Sequence, residues 1–133
     1  MTQNFSYKEL TYSDTAIKHN IANTPSEDVL KNIQRCAYAL EYLRMYLGNN
    51  PIIVTSGYRC RELNARIGGS PTSSHIDGEA FDFKPPNSLG TLDTAIKIFN
   101  SDILFDQLII YKSFLHIGFG NKKRRQLINR LRS

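Results

Sequence analysis

Two histidines and an aspartate in the second half of the chain have the types and spacing to act together: His75, Asp82 and His116. His75 precedes Asp82 by seven residues, with Gly78 between them. A glycine there lets the backbone turn sharply after His75 and enter the strand that carries Asp82. Alternation along that strand sets Ala80 and Asp82 on one face and Phe81 and Phe83 on the other. The phenylalanines then face a core, and Asp82 faces a pocket kept open by the small Ala80. The last strand repeats this: Leu115, Ile117 and Phe119 share an apolar face, while Phe114, His116 and Gly118 share the opposite one. Two imidazoles and one carboxylate form a zinc donor set that leaves a fourth tetrahedral position for water, as a catalytic site requires. On spacing alone, ordinary hydrogen-bonded strand histidines explain the same residues. The third histidine, His19, lies in a polar stretch and is expected to be exposed.

The elements that must position these residues are legible in outline. Thr24 as N-cap, Pro25 at the first helical position and Glu27 completing a capping box predict the start of a long helix. Its apolar face runs through Val29, Leu30, Ile33, Cys36, Ala37, Leu40, Leu43 and Leu47, and Gly48 to Pro51 ends it. Ile52 to Thr55 reads as a short buried strand, and Arg61 to Ile67 as a short helix stopped by Gly68-Gly69-Ser70-Pro71. Glu79 to Phe83 alternates as a strand. Leu92, Ala95, Ile96 and Phe99 mark a second amphipathic helix. Asp106 to Tyr111 and Phe114 to Phe119 form a hairpin turning at Lys112-Ser113. With helices first and adjacent strands antiparallel, the class is α+β.

At 133 residues the chain has room for one core, and it contains no repeat or linker, so a single domain over residues 1–133 is expected. No apolar run is long enough to span a bilayer. The N-terminus lacks the basic and apolar regions of a secretory signal, so synthesis in a cytoplasm is expected. Of the net charge of +5, the segment 122–133 carries six of seventeen basic residues and no acid, leaving the remainder nearly neutral. That basic C-terminal segment can bind an anionic polymer, but the preferred reading is a solvated tail that packs Leu127, Ile128 and Leu131. Nucleic acid is not an expected partner, and a monomer is expected. Cys36 falls on the apolar helix face, and a cytoplasmic origin disfavours its pairing with Cys60.

Ser73-x-His75-x-x-Gly78-x-Ala80-x-Asp82, followed by Leu115-His116-Ile117, resembles the zinc D-Ala-D-Ala peptidase family. That family includes D-Ala-D-Ala carboxypeptidases and phage L-alanyl-D-glutamate endolysins, which cut peptide stems of peptidoglycan. Phe5 through Leu10, Ser13 to Ala16, Thr55-Ser56-Gly57-Tyr58-Arg59, Leu63-Asn64, Gly68-Gly69-Ser70 and Phe105 to Ile109 resemble its phage and prophage branch. The resemblance implies the fold shared with the hedgehog signalling domain, a small antiparallel sheet flanked by helices. It implies one zinc ion held by His75, Asp82 and His116. Arg59 would bind substrate and stabilise the developing oxyanion, and Ser73 would contact substrate or brace its loop. The implied substrate is the bacterial peptidoglycan peptide, reached after holin-type release or as part of a virion.

One part of the family pattern is missing. Amide hydrolysis at zinc needs a general base. The three positions that relatives use for it correspond here to Ser113, Ile110 and Tyr111, and none of these can serve. No Asp or Glu lies between Asp106 and His116. Asp106 is the remaining candidate, with a supporting role beside a ligand histidine as its alternative. Asp77 can swing inward from its loop, whereas alternation turns Glu79 away from Asp82. Tyr111 is a candidate donor to the oxyanion. A binding module that keeps zinc without hydrolysis is the alternative function, and a Cys60–His75 thiol hydrolase is a third.

Overall fold

The computed structural model describes residues 1–86 and 88–131. Arg132 and Ser133, counted above in the basic segment, lie outside the described residues. In chain order the elements are α1 (Tyr7–Thr11), α2 (Asp14–Lys18), α3 (Glu27–Tyr46), β1 (Ile53–Ser56), α4 (Arg61–Arg66), β2 (Ala80–Lys84), α5 (Thr91–Phe99), β3 (Gln107–Ile110), β4 (Leu115–Gly118) and β5 (Gln126–Asn129).

The long helix α3 starts later than Thr24. Its N-cap is Ser26, whose hydroxyl accepts from the Val29 amide at 3.3 Å. Asn23 explains the delay. Its side chain donates to the Thr11 and Tyr58 carbonyls at 2.9 and 3.0 Å and accepts from the Cys60 amide at 2.7 Å. The chain at Asn23 is thereby tied to two other segments, and the turn into helix waits for the next hydroxyl. Acidic Glu27 and Asp28 suit the positive end of the helix. At the other end Gly48 takes φ +91°, the left-handed conformation in which glycine commonly closes a helix.

The strands form one sheet in the order β1-β2-β4-β3-β5. The first three pairings are antiparallel, as expected, but β5 runs parallel to β3, with Leu108 opposite Leu127. The sheet is therefore mixed. The segment read as a solvated tail contains its edge strand, because backbone pairing fixes it even though Leu127 remains 42% exposed. Ile128 is half-buried, and Leu131 packs against the core.

One face of the sheet carries Phe81, Phe83, Leu108, Ile110, Leu115 and Ile117, all buried with Ile33, Cys36, Ala37, Leu40 and Leu43 of α3 in one cluster. The helix α5 adds Ala95 and Ile98 to this core, but Leu92, Ile96 and Phe99 of its expected apolar face are exposed. Thr91 and Thr94 are buried instead, and Thr94 donates its hydroxyl proton to the Gly90 carbonyl at 2.8 Å. That local bond lets a threonine enter the core without an unpaired polar atom.

Candidate metal centre

The core-facing pattern of β2 and β4 leaves their other face to Asp82 and His116, which sit directly opposite each other in the antiparallel register. Directly opposed side chains on one face lie close together. His116 Nδ1 is 3.0 Å from Asp82 Oδ1. His75 arrives from the loop before β2, and its Nε2 is 3.3 Å from the same oxygen. The donor atoms of His75, Asp82 and His116 all lie within 4.8 Å of one another, so the three can hold a metal ion.

That loop is fixed from several sides. Gly78 adopts φ +70°, and a Cβ there would lie 2.7 Å from Ile33 Cγ1 and 3.1 Å from the Val29 carbonyl. Glycine is required both by the turn and by the close approach of α3. Asn32 of α3 donates to the Asp77 carbonyl at 3.0 Å, leaving the Asp77 side chain exposed. Glu79 pairs with Arg35, which also donates to the Phe119 carbonyl at 3.1 Å. Ser73 braces the loop, its hydroxyl accepting from the His75 amide at 3.2 Å.

The orientation of His75 decides its chemistry. Its Nδ1 lies 2.7 Å from the Gly57 carbonyl. A carbonyl only accepts, so Nδ1 carries the proton, and in the neutral ring Nε2 presents a lone pair. That lone pair faces a carboxylate oxygen in a residue only 3% exposed. Two acceptors at 3.3 Å need a cation between them or a proton on the ring. A zinc donor set satisfies that need, and a backbone carbonyl behind a ligand histidine is the usual support for such a site. Burial pushes Asp82 up, but the hydrogen bond from His116, joined by His75 when its ring is protonated, outweighs it and holds the carboxyl well below the usual range. The group stays ionised, as a metal ligand must.

Arg59 stands beside the cluster. Its Nη2 is 3.5 Å from Asp82 Oδ2, its Nε donates to the Ser56 hydroxyl at 3.2 Å, and its Nη1 lies 3.4 Å from Asn64 Oδ1. Burial pulls the guanidinium down while the Asp82 charge opposes the shift. These contacts hold a cation at the wall of a cavity of about 680 Å³ that is also lined by His75, Asp82, His116, Ser73, Tyr111 and Arg124.

The remaining candidates divide. Tyr111 lines the cavity and stacks on Phe114 with ring centroids 4.5 Å apart. Asp106 turns elsewhere: its carboxylate accepts from Arg124 Nε at 2.8 Å and Nη2 at 3.0 Å, and it does not line the cavity. Hydrogen bonding from Arg124 holds its carboxyl below the usual range, against burial. That is the wrong direction for a base working near neutrality. Among the described residues, Asp82 is the one carboxylate in the cavity wall. His19 is exposed, and Cys36 and Cys60 are both free thiols.

Sequence reasoning missed the Gly57 carbonyl and Arg124, and it included Asn64 in a family motif without giving it a role. The first is a backbone group in a turn, and no side-chain pattern marks it. Arg124 was indistinguishable from its basic neighbours.

The family model for Peptidase M15 matches residues 3–118. The chain belongs to the peptidase M15 family. This is the zinc D-Ala-D-Ala peptidase family, whose members act on peptidoglycan peptides. In this M15 domain the match runs from the segment before α1 through β4 and so includes all three donors of the cluster. Its edge strand β5 lies beyond the match. No curated protein sequence matches the chain. Among the described residues, no helix is long and apolar enough to cross a membrane.

Proposed function

We propose that this protein is a zinc-dependent peptidase that hydrolyses peptide stems or cross-links of bacterial peptidoglycan, of the phage or prophage type. The observation that carries this is the His75–Asp82–His116 cluster, with His75 buried and the other two half-buried, at the wall of an open cavity, with Arg59 fixed beside it. His75, Asp82 and His116 would hold a zinc ion, which would supply Lewis acidity and lower the pKa of a water toward neutrality. The chain's own groups do the rest. Gly57 and the β2–β4 register hold the two imidazoles in place. Arg59, anchored through Ser56 and Asn64, offers a fixed positive charge where an oxyanion develops. Tyr111 and Phe114 give the peptide a flat apolar wall, and the Tyr111 hydroxyl is a second candidate donor to the oxyanion.

A second reading has an observation of its own. Among the described residues, Asp82 is the sole carboxylate in the cavity wall, Asp106 is bound to Arg124, and no side chain is evident as general base. A non-hydrolytic module that uses zinc and the cavity to grip wall peptides fits that fact. Both readings require metal, and they part at cleavage. Purified protein is analysed for zinc, then incubated with peptidoglycan with and without a chelator, and the products are read by mass spectrometry. Chelator-sensitive peptide cleavage is the expected result. Stoichiometric zinc with no cleavage would establish the module, and His75→Ala with unchanged zinc content would remove the site.

A further inference from the structure

The residues beyond the family match bring a second cation to the cavity. After β4 the chain turns through Lys123 and Arg125, both at positive φ (46° and 53°), and Arg124 between them lines the cavity wall. Two anchors hold this turn. Arg125 donates to the carbonyls of Ile103, Phe99 and Ser101 and lies over the Phe105 ring at 4.6 Å. Arg124 is gripped by Asp106, a residue 8% exposed, through its amide at 3.1 Å and its Nε and Nη2 at 2.8 and 3.0 Å.

A guanidinium has five N–H donors in a fixed plane, and the Asp106 fork uses two. The others remain for a ligand on a side chain that is 51% exposed. The Asp106 carboxylate fixes the plane, so less freedom is lost when a second anion docks. Arg59 lines the same cavity, and the one carboxylate among the described residues of its wall, Asp82, is already engaged by both histidines and Arg59. Lys122 and Lys123 are exposed next to Arg124 and add positive field at that rim. A negatively charged group is what this side of the cavity accepts.

We propose that Arg124 is a specificity-determining residue that takes a carboxylate of the bound peptide, with Asp106 as its positioning residue. The substrate class rests on the peptidase reading above; the charge preference rests on this geometry alone. The carboxylate comes either from the peptide's C-terminus or from an acidic side chain.

Two pairs of short peptides separate these sources: free against amidated C-terminus, and glutamyl against glutaminyl side chain. Binding to the full zinc-supplemented chain is measured by calorimetry, and kcat and KM are measured separately wherever cleavage occurs. The wild type is expected to favour the carboxylate member of one pair by about tenfold, the scale of one charge-assisted hydrogen bond. Arg124→Gln should abolish that preference by weakening the carboxylate peptide alone, read as a rise in its Kd, and in its KM where cleavage occurs. Asp106→Asn should reduce the preference, and Lys31→Gln, which removes an exposed charge on α3 outside the cavity wall, should leave it intact. If Arg124→Gln does not fold, Arg124→Lys carries the test, because a point charge in place of the fork must narrow the preference. No preference in the wild type, or equal loss for both members of a pair in the variant, overturns the proposal. An Arg124-dependent preference in a protein that cleaves nothing would keep this proposal and remove the peptidase reading. Cleavage without any preference would do the reverse.

Discussion

At the scale of single residues, the site depends on which side chains are free to react. The two thiols make this concrete. Burial above all pushes Cys36 up to about 12, with the Arg35 charge pulling weakly the other way. At pH 8 its thiolate fraction is then roughly one part in ten thousand, and the thiolate is the reactive form. Cys60 is half-buried, and its sulfur accepts from the Leu63 amide at 3.4 Å as the cap of α4. Titration of the native protein with a thiol reagent should therefore modify Cys60 and spare Cys36, and both should react after unfolding. Modification that leaves peptide cleavage intact would exclude a Cys60 nucleophile. Rapid labelling of Cys36 in the native state would contradict its place in the core. The shared face of Asp82 and His116 was legible in the sequence because strand alternation has a period of two, whereas grouping the loop residue His75 with them as a ligand set came from the family resemblance. The partner of Asp106 was not legible. Its carboxylate meets Arg124 across a turn built by backbone conformation, and residue types alone do not show where such a turn leads.

At the scale of elements, the site is an arrangement of one loop against two strands, and glycines decide how closely that loop can pack. Gly78 and Gly68 provide an internal comparison. Both have positive φ, +70° and +78°, but an added Cβ meets Ile33 and Val29 at Gly78 and nothing within 4 Å at Gly68. Alanine at either position pays the left-handed strain of about 1 kcal/mol. At position 78 it also forces the loop off α3, adding about 1 to 3 kcal/mol for overpacking. Urea unfolding should thus show Gly78→Ala as clearly less stable than Gly68→Ala, and zinc affinity should fall in the first variant only. Equal effects would mean that contact with α3 does not position His75. Element type was readable wherever period and length agreed, as in α3 and the β3–β4 hairpin. It failed where other parts of the chain intervened. The α3 start moved because Asn23 is held by Tyr58 and Cys60, and α5 turned Thr94 inward because the Gly90 carbonyl satisfied its hydroxyl. The edge strand β5 was hidden because its stability comes from pairing with β3, while its own side chains are mostly exposed.

For the whole molecule, the sheet divides labour between its faces. The face against α3 supplies the apolar core, and the other carries Asp82, His116, Ile109 and Gln107 at the cavity. The three candidate ligands come from β2, β4 and the loop that α3 holds in place, so a bound ion joins parts of the chain that are far apart in sequence. An ion that binds only the folded state stabilises it by mass action, by about 2.7 kcal/mol at a free concentration one hundred times Kd. In a domain of this size that corresponds to a rise in Tm of several degrees, on the order of 5 to 15 °C. Thermal unfolding should therefore shift upward with added zinc and return with a chelator. The shift should be absent in His116→Ala. That variant removes a donor on β4 while Leu115 and Ile117 continue to hold the strand in the core. Its metal-free stability should fall far less than that of Phe81→Ala, which empties a fully buried ring site at a cost of about 3 to 5 kcal/mol. If zinc raises the Tm of His116→Ala as much as that of the wild type, the ion binds elsewhere, and the functional reading built on this cluster loses its basis.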